Sequence, residues 1–117
     1  MGEIFVMRQR DILLIPFPFS DQSGRKVRPV IVISNNEFNE HSGDIIVVGV
    51  TSNIIKDKYT ISFTNKEIEE GKLITQCCIK TENILKIDKE LIIKKIGKIK
   101  KDTLRKIVNK IIEILKD

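Results

Sequence analysis

Aromatic residues and histidine are scarce in this sequence. Its 117 residues include no tryptophan, one tyrosine, five phenylalanines and a single histidine, His41. RNA-binding modules that stack bases on aromatic side chains need more aromatic surface than this. One histidine per chain also excludes a paired-histidine ribonuclease mechanism and a histidine-ligated zinc site within one chain. We therefore predict neither metal nor cofactor, and we expect His41 to be a surface loop residue, with general acid or base as its alternative role.

Cysteine is also scarce, and its arrangement excludes two common uses. Cys77 and Cys78 are adjacent in the sequence. On a strand, neighbouring side chains point to opposite faces of the sheet, so neither a disulfide between them nor a shared metal site is natural. We predict two buried free thiols.

Long hydrophobic runs and familiar catalytic motifs are missing. The longest apolar runs, such as residues 12–15 and 30–33, are too short to cross a bilayer, and no basic-then-apolar leader opens the sequence. A cytoplasmic protein without a membrane partner is expected. No Walker loop, GxSxG elbow or HExxH pair occurs.

What the sequence does contain is aliphatic side chains and positive charge. Hydrophobic residues make up 41% of the chain, enough for the core of a single domain spanning residues 1–117. The formal net charge of +5 would attract polyanions. A solvated lysine-rich surface accounts for the same charge equally well.

The hydrophobic pattern predicts a mainly β fold with a C-terminal helix. Six strands are expected, the first ended by Pro16 and Pro18 and the second beginning at Pro29. Gly49 inside the third strand predicts a bulge or a close backbone approach. Asp102 is placed to cap a helix whose apolar stripe covers one side of the sheet. The predicted strands are residues 11–17, 29–34, 44–51, 59–63, 73–79 with a possible extension to 84, and 92–96, and the helix stripe is Leu104, Ile107, Val108, Ile111, Ile112 and Leu115.

Two short segments could meet a phosphate group. Arg28 directly precedes a buried strand, where its guanidinium fork would suit a phosphate or phosphorane. A surface arginine paired with a carboxylate is an equal alternative. Thr51, Ser52 and Asn53 place oxygen and amide groups where the third strand ends, although ordinary turn formation explains the same residues.

The order of these pieces resembles the MazF/PemK/Kid toxin family, and most closely its PemK-like branch. The resemblance lies in residues 10–35 (RDILLIPFPFSDQSGRKVRPVIVISN), 45–54 (IIVVGVTSNI) and 80–99 (KTENILKIDKELIIKKIGKI). It implies an SH3-like barrel, a symmetric homodimer and a groove for single-stranded RNA. It also implies a type II toxin, a metal-independent and sequence-selective endoribonuclease held inactive by an antitoxin with an acidic segment.

The family's catalytic positions match Arg28 and Thr51. A basic-x-acidic pair used by one branch has Lys80 and Glu82 as its nearest counterparts, and Glu82 is the candidate general base. The polar loop before Arg28 would select the base sequence. The resemblance thus implies RNA binding by Asp21, Gln22, Ser23, Gly24, Arg25, Lys26, Ser52, Asn53 and Lys80.

The sequence departs from the family pattern at three places. Arg10 stands where glycine is usual, Leu85 where many members have arginine, and Lys80 replaces an arginine and loses its bidentate geometry. Two other functions stay open: a gyrase-poisoning toxin of the CcdB type, whose tryptophan-glycine-isoleucine ending this chain lacks, and a non-catalytic RNA- or protein-binding module on the same barrel.

Overall fold

A computed structural model of the protein describes residues 6–17 and 26–117. Within them, seven strands and two α-helices follow one another along the chain, with short 3-10 helices at Asn65–Glu67 and Lys89–Leu91. No helix among the described residues is long and apolar enough to cross a membrane. The elements are β1 (Asp11–Phe17), β2 (Lys26–Val32), α1 (Asn36–His41), β3 (Asp44–Thr51), β4 (Thr60–Phe63), β5 (Ile68–Gly71), β6 (Cys77–Asp88), β7 (Lys94–Ile99) and α2 (Lys101–Leu115).

The strands form one curled antiparallel sheet in the order β4-β6-β3-β2-β1-β7-β5. Because successive side chains alternate between faces, the aliphatic central strands supply two apolar clusters. One contains Phe63, Ile79 and Ile107 of α2, and the other contains Leu13 and Val30. The predicted mainly β fold, with a C-terminal helix covering one face, is confirmed.

β1 has the predicted bounds, residues 11–17, and includes Pro16, which pairs with Val27. β2 begins three residues before Pro29, which was expected to be its first residue. Proline lacks the N–H that a central strand donates, but the β2–β3 ladder of the described residues begins only at Val30. Pro29 therefore lies where β2 has not yet paired with β3.

Other predicted boundaries were wrong by a few residues, and two elements were not predicted. β6 occupies Cys77–Asp88, whereas residues 73–79 with a possible extension to 84 were predicted, so the extension into residues 80–84 was right and the predicted start was not. β7 is shifted to Lys94–Ile99, and β4 starts one residue later than predicted. The edge strand β5 lies where the sequence predicts a polar turn, because its exposed glutamates hide the strand pattern. Helix α1 was also missed, and Asn35 caps it by accepting a hydrogen bond from the Phe38 N–H at 2.8 Å.

Helix α2 packs through Thr103 and Ile107, which are buried. The prediction that its whole apolar stripe covers the sheet was only half right: Leu104 and Ile111 pack beside Ile107, whereas Val108, Ile112 and Leu115 are exposed. Its N-cap is Lys100, which makes no side-chain capping bond, so the prediction that Asp102 caps the helix was wrong. Asp102 lies in the first turn instead and pairs with Arg105 at 2.8 Å. A carboxylate there still interacts favourably with the helix dipole.

Arg10 and Asp11 fix the start of β1. Arg10 has a φ of 83°, in the left-handed region that favours glycine. Its backbone is held on both sides, because its N–H donates to Val32 O at 2.8 Å and its carbonyl accepts from the Ile99 N–H at 2.9 Å. The buried Asp11 carboxylate pairs with Lys95 at 3.2 Å. The departure from glycine at position 10 thus falls where the backbone geometry favours glycine.

The two cysteines are free and buried, as predicted. Cys77 belongs to the cluster beneath α2, whereas Cys78 lies on the other side of β6 with its Sγ 3.6 Å from Ile55 O. Burial raises the pKa of the Cys77 thiol, and a neighbouring Cys78 thiolate would raise it further.

Candidate functional site

Arg28 and Thr51 lie at the same end of the central strands. Arg28 pairs with Ile15 of β1, and Val30, two residues further along β2, pairs with Gly49 of β3. The β2–β3 ladder ends at the Val30–Gly49 pair, and Arg28 and Thr51 each lie two residues beyond it, on the faces of Val30 and Gly49 respectively. Cross-strand partners share a face of the sheet, so the register assigns both residues to one face. Both are half-buried, and the Arg28 Nε is buried.

Lys80 lies in the neighbouring row of this face. It pairs with Gly49, while Cys78 pairs with Thr51. Lys80 therefore lies two residues along β6 from Cys78, the residue opposite Thr51. Its Nζ is 3.5 Å from a carboxylate oxygen of Glu82, and both side chains are partly exposed. The structure therefore brings Lys80 beside the Thr51 row and ties Glu82 to it through an ion pair.

The predicted irregularity at Gly49 is confirmed. The β3–β6 register shifts between Val48 and Gly49, because Val48 pairs with Ile84 whereas Gly49 pairs with Lys80. Residues 81–83 are thus left out of the ladder as a bulge, a feature that often occurs beside active sites. Sequence reasoning found the glycine but missed Asn83, whose side chain packs on it.

Arg28 also lines a cleft of about 550 Å³ at this end of the sheet, which lies mainly on the other face, because Pro29 and Val50, the chain neighbours of Arg28 and Thr51, line it as well. Ser52 contributes to the same cleft, together with Lys72 and Lys94, which sequence reasoning did not single out. Three cations around one cleft would attract a phosphodiester chain. No motif marks the two lysines, since they come from segments far apart in the sequence and meet only in the folded sheet.

A second pocket, of about 350 Å³, adjoins the Thr51 row. Cys78 lies opposite Thr51, Ser62 lies opposite Cys78, and both line this pocket. Asp57 and Thr60 also line it, but their side chains are engaged in the turn before β4, where Asp57 Oδ1 accepts from the Tyr59 N–H at 2.8 Å. The pocket extends the same face toward the β4 edge.

The remaining predicted site residues fall into three groups. Ser52 and Asn53 are exposed, and the Asn53 N–H donates to Thr51 Oγ1 at 3.1 Å, so this segment does form a turn. His41 is exposed, but it ends α1 rather than lying in a loop, and α1 follows the opposite end of β2 from Arg28. Lys26 is the first residue of β2 and pairs with Phe17. Asp21, Gln22, Ser23, Gly24 and Arg25 lie outside the described residues.

No group of three or more histidine, cysteine, aspartate or glutamate side chains that could hold a metal ion occurs within residues 6–17 and 26–117. The side chains just described provide a guanidinium, a hydroxyl, several ammonium groups, a carboxylate and an amide at this end of the sheet.

Comparison with known proteins identifies the family. Residues 8–115 match the family model of the PemK-like, MazF-like toxin of type II toxin-antitoxin systems. An endoribonuclease MazF of Staphylococcus saprophyticus is 32% identical over 111 residues, which cover 91% of this chain and 88% of that protein.

Solved structures agree on the fold. A MazE-MazF complex from Deinococcus radiodurans superposes with a TM-score of 0.78 at 16% identity, covering 96% of this chain and 97% of that one. A mycobacterial endoribonuclease in complex with its cognate antitoxin gives a TM-score of 0.76 at 16% identity, covering 93% and 94%. At such identities the likeness concerns the fold, whereas the family model spans nearly the whole chain. The chain belongs to the PemK-like, MazF-like toxin family of type II toxin-antitoxin systems.

Proposed function

We propose that the protein is a sequence-selective endoribonuclease that cleaves single-stranded RNA without a metal ion and acts as a cytoplasmic toxin. The observation that carries the proposal is the placement of Arg28 and Thr51 on one face at neighbouring ends of β2 and β3. These positions match the family's catalytic arginine and threonine. The 32% identical relative is named an endoribonuclease, whereas nothing found favours the gyrase-poisoning alternative.

RNA supplies its own nucleophile, the 2′-hydroxyl, so the protein needs only to align the reacting groups and to stabilise the transition state. The 2′-hydroxyl oxygen attacks the adjacent phosphorus as the bond from phosphorus to the 5′-oxygen breaks, leaving a 2′,3′-cyclic phosphate and a 5′-hydroxyl. Arg28 stabilises the negative charge that develops on the phosphorane, and the Thr51 hydroxyl donates a hydrogen bond to a phosphate oxygen. The proton of the 2′-hydroxyl passes to Glu82, and the leaving oxygen takes a proton from Arg28 or water.

Binding of the RNA strand is assigned to the surrounding cations. Lys72 and Lys94 share the cleft with Arg28, and Lys80 lies in the row beside Thr51. Each phosphate that they neutralise releases counterions, so affinity should fall steeply with salt. This role separates residues that hold the strand from Arg28 and Thr51, which act on the scissile phosphate.

The partners in this proposal are a second copy of the chain and an acidic antitoxin. Val108, Ile112 and Leu115 are large exposed apolar side chains on α2, a surface that association with a second copy would bury. Two fold relatives were solved as complexes with their antitoxins. The net charge of +5 suits an acidic antitoxin segment that would lie over the RNA site.

The experiment is single-turnover cleavage of a long RNA, with and without EDTA, by the parent and Arg28→Ala. We expect Arg28→Ala to cleave roughly a hundredfold or more slowly, the scale for losing a preorganised charge stabiliser, while Thr51→Ala loses less. Arg105→Ala is the matched control, because Arg105 is an exposed arginine on α2 paired only with Asp102 among the described residues.

Two outcomes would contradict the proposal. If Arg28→Ala cleaves saturating RNA at the parental rate, Arg28 is a binding or structural residue and the site is misassigned. If cleavage stops on chelation and returns with magnesium or zinc, the metal-independent mechanism is wrong. Circular dichroism of each variant checks that the fold is kept.

A further inference from the structure

The three consecutive residues of the β6 bulge, 81–83, point their side chains in different directions. Thr81 is buried, and its hydroxyl donates to Tyr59 O at 2.6 Å, which anchors the bulge to the chain before β4. Glu82 points outward and pairs with Lys80. Asn83 packs back over the sheet onto Gly49. The bulge is thus held by one residue and presents the other two at the candidate site.

Gly49 is explained by this packing. A Cβ at position 49 would overlap the Nδ2 of Asn83 and would lie 3.3 Å from its Cγ. Gly49 does not have the positive φ that Gly71 has, so backbone conformation does not require glycine there. The glycine provides space for the Asn83 amide, which packs against the backbone there.

The Asn83 amide is available to a ligand. The side chain is half-buried, yet it makes no hydrogen bond within the part of the chain that the structure describes. It lies over Gly49, which precedes Thr51 by two residues on the same face, a separation of about 7 Å along a strand. Within the described residues, an amide with unpaired donors and an unpaired acceptor therefore lies beside the glycine that is two residues from the candidate catalytic Thr51.

We propose that Asn83 reads the base of the nucleotide next to the scissile phosphate and is a specificity-determining residue of this enzyme. An amide presents a donor and an acceptor side by side, which matches the edge of an unstacked base, whereas phosphate is served by the cations already at the site. The Thr81 hydrogen bond anchors the backbone that carries the amide before RNA binds, so less entropy is lost on recognition than for a residue on a free loop. The inference rests on the proposed ribonuclease function.

The first test compares Asn83→Ala and Asn83→Asp with the parent. Cut sites on a long unstructured RNA are mapped by sequencing, and kcat/KM is measured on the preferred RNA and on RNAs with each flanking base replaced. For Asn83→Ala we expect kcat/KM on the preferred RNA to fall roughly 10- to 100-fold while the poorly cut RNAs change little, so that selectivity is lost. Asn109→Ala, at an exposed asparagine on α2, is the matched control.

Asn83→Asp separates reading a base from merely filling space. Aspartate keeps the shape but replaces the amide donors with a second acceptor, so the preferred base should change to one that presents a donor. The added negative charge weakens binding of every RNA alike, so the readout is the ratio between RNAs. An unchanged ratio would overturn the proposal.

Gly49→Ala tests the same contact from the other side. The new methyl group displaces the flexible end of Asn83, so selectivity should fall although Asn83 is still present. Combined with Asn83→Ala, it should cost no further selectivity, because the group that it displaces is already gone. A full additional loss in the double variant would show that position 49 acts independently of Asn83, against the proposal.

The outcomes of these experiments distinguish a failure of this inference from a failure of the proposed ribonuclease function on which it rests. If Arg28→Ala abolishes cleavage while the Asn83 variants cut the same sites at parental rates, Asn83 has no reading role and the ribonuclease proposal stands. If the Asn83 variants slow all RNAs equally, Asn83 only supports the structure, and the inference fails. A parent protein that cuts no RNA overturns both.

Discussion

Replacing Arg10 should reveal backbone strain that no contact shows. Arg10 holds a φ of 83° and cannot relax it easily, because its N–H and its carbonyl both form hydrogen bonds, at 2.8 and 2.9 Å. Left-handed backbone costs an L-residue about 1–2 kcal/mol. Glycine avoids that cost but loses about 0.5–1 kcal/mol more chain entropy on folding. Arg10→Gly should therefore be more stable than Arg10→Ala by about 0.5–1 kcal/mol.

Both variants should still be less stable than the parent. The Arg10 guanidinium donates to Ile99 O at 2.9 Å and pairs with the half-exposed Glu69 at 3.0 Å. A hydrogen bond from a charged group contributes about 1.5 kcal/mol or more, and a partly exposed ion pair about 0.5 kcal/mol. Alanine loses these contacts and keeps the strain, whereas glycine loses the contacts and the strain together.

Urea denaturation at one fixed protein concentration measures the difference, since association would otherwise shift the midpoint. We expect the Arg10→Gly midpoint to lie about 0.5 M above that of Arg10→Ala, given an m-value of roughly 1–2 kcal/mol/M for a chain of this size. The same pair of substitutions at Arg8, which lacks a positive φ, should show alanine at least as stable as glycine. If Arg10→Ala equals or exceeds Arg10→Gly, the strain argument is wrong.

Two further predictions concern assembly and the thiols. Light scattering at micromolar concentration should give about twice 13.5 kDa, and a strict monomer that still cleaves RNA would refute the dimer. Since the pKa of the Cys77 thiol is raised by burial and by Cys78, iodoacetamide should modify it far more slowly in the folded protein than in urea at pH 8–9, and equal rates would show that it is not shielded. For the same reason the Cys77 thiol ionises at a lower pH in the unfolded chain than in the folded protein. It therefore leaves the free energy of unfolding unchanged below its unfolded pKa, ordinarily 9.0, and lowers that free energy as pH rises from there toward the folded pKa.

The local pattern of hydrophobic residues is enough to determine several parts of this protein. The run of residues 44–51 has a length and a β-branched composition that suit a buried strand, and β3 begins and ends at those residues. The three- and four-residue spacing around Ile107 identified α2, because that period places apolar side chains on one helix face. The order of the RPV and VTSN segments indicated the family, because catalytic positions keep their place along a chain.

Edge elements and caps were poorly determined by sequence, since their residues satisfy no hydrophobic period. β5 has one buried residue in four and forms only because β7 offers it backbone partners. α1 is a six-residue helix that depends on Asn35 and on the Ser34–Asn39 contact, in which the Asn39 amide donates to Ser34 O at 2.9 Å. Neither element is stable enough alone to be predicted from the secondary-structure propensity of its residues.

The sequence by itself determined which residue types were available for chemistry: one guanidinium before a buried strand, one threonine after another, and no histidine pair. Tertiary structure alone decided what surrounds them. Lys72 and Lys94 reach the Arg28 cleft from distant segments, and Asn83 reaches Gly49 through a bulge in β6. Strand register brings such residues together, and register depends on pairings between segments far apart in the chain, which no local pattern encodes.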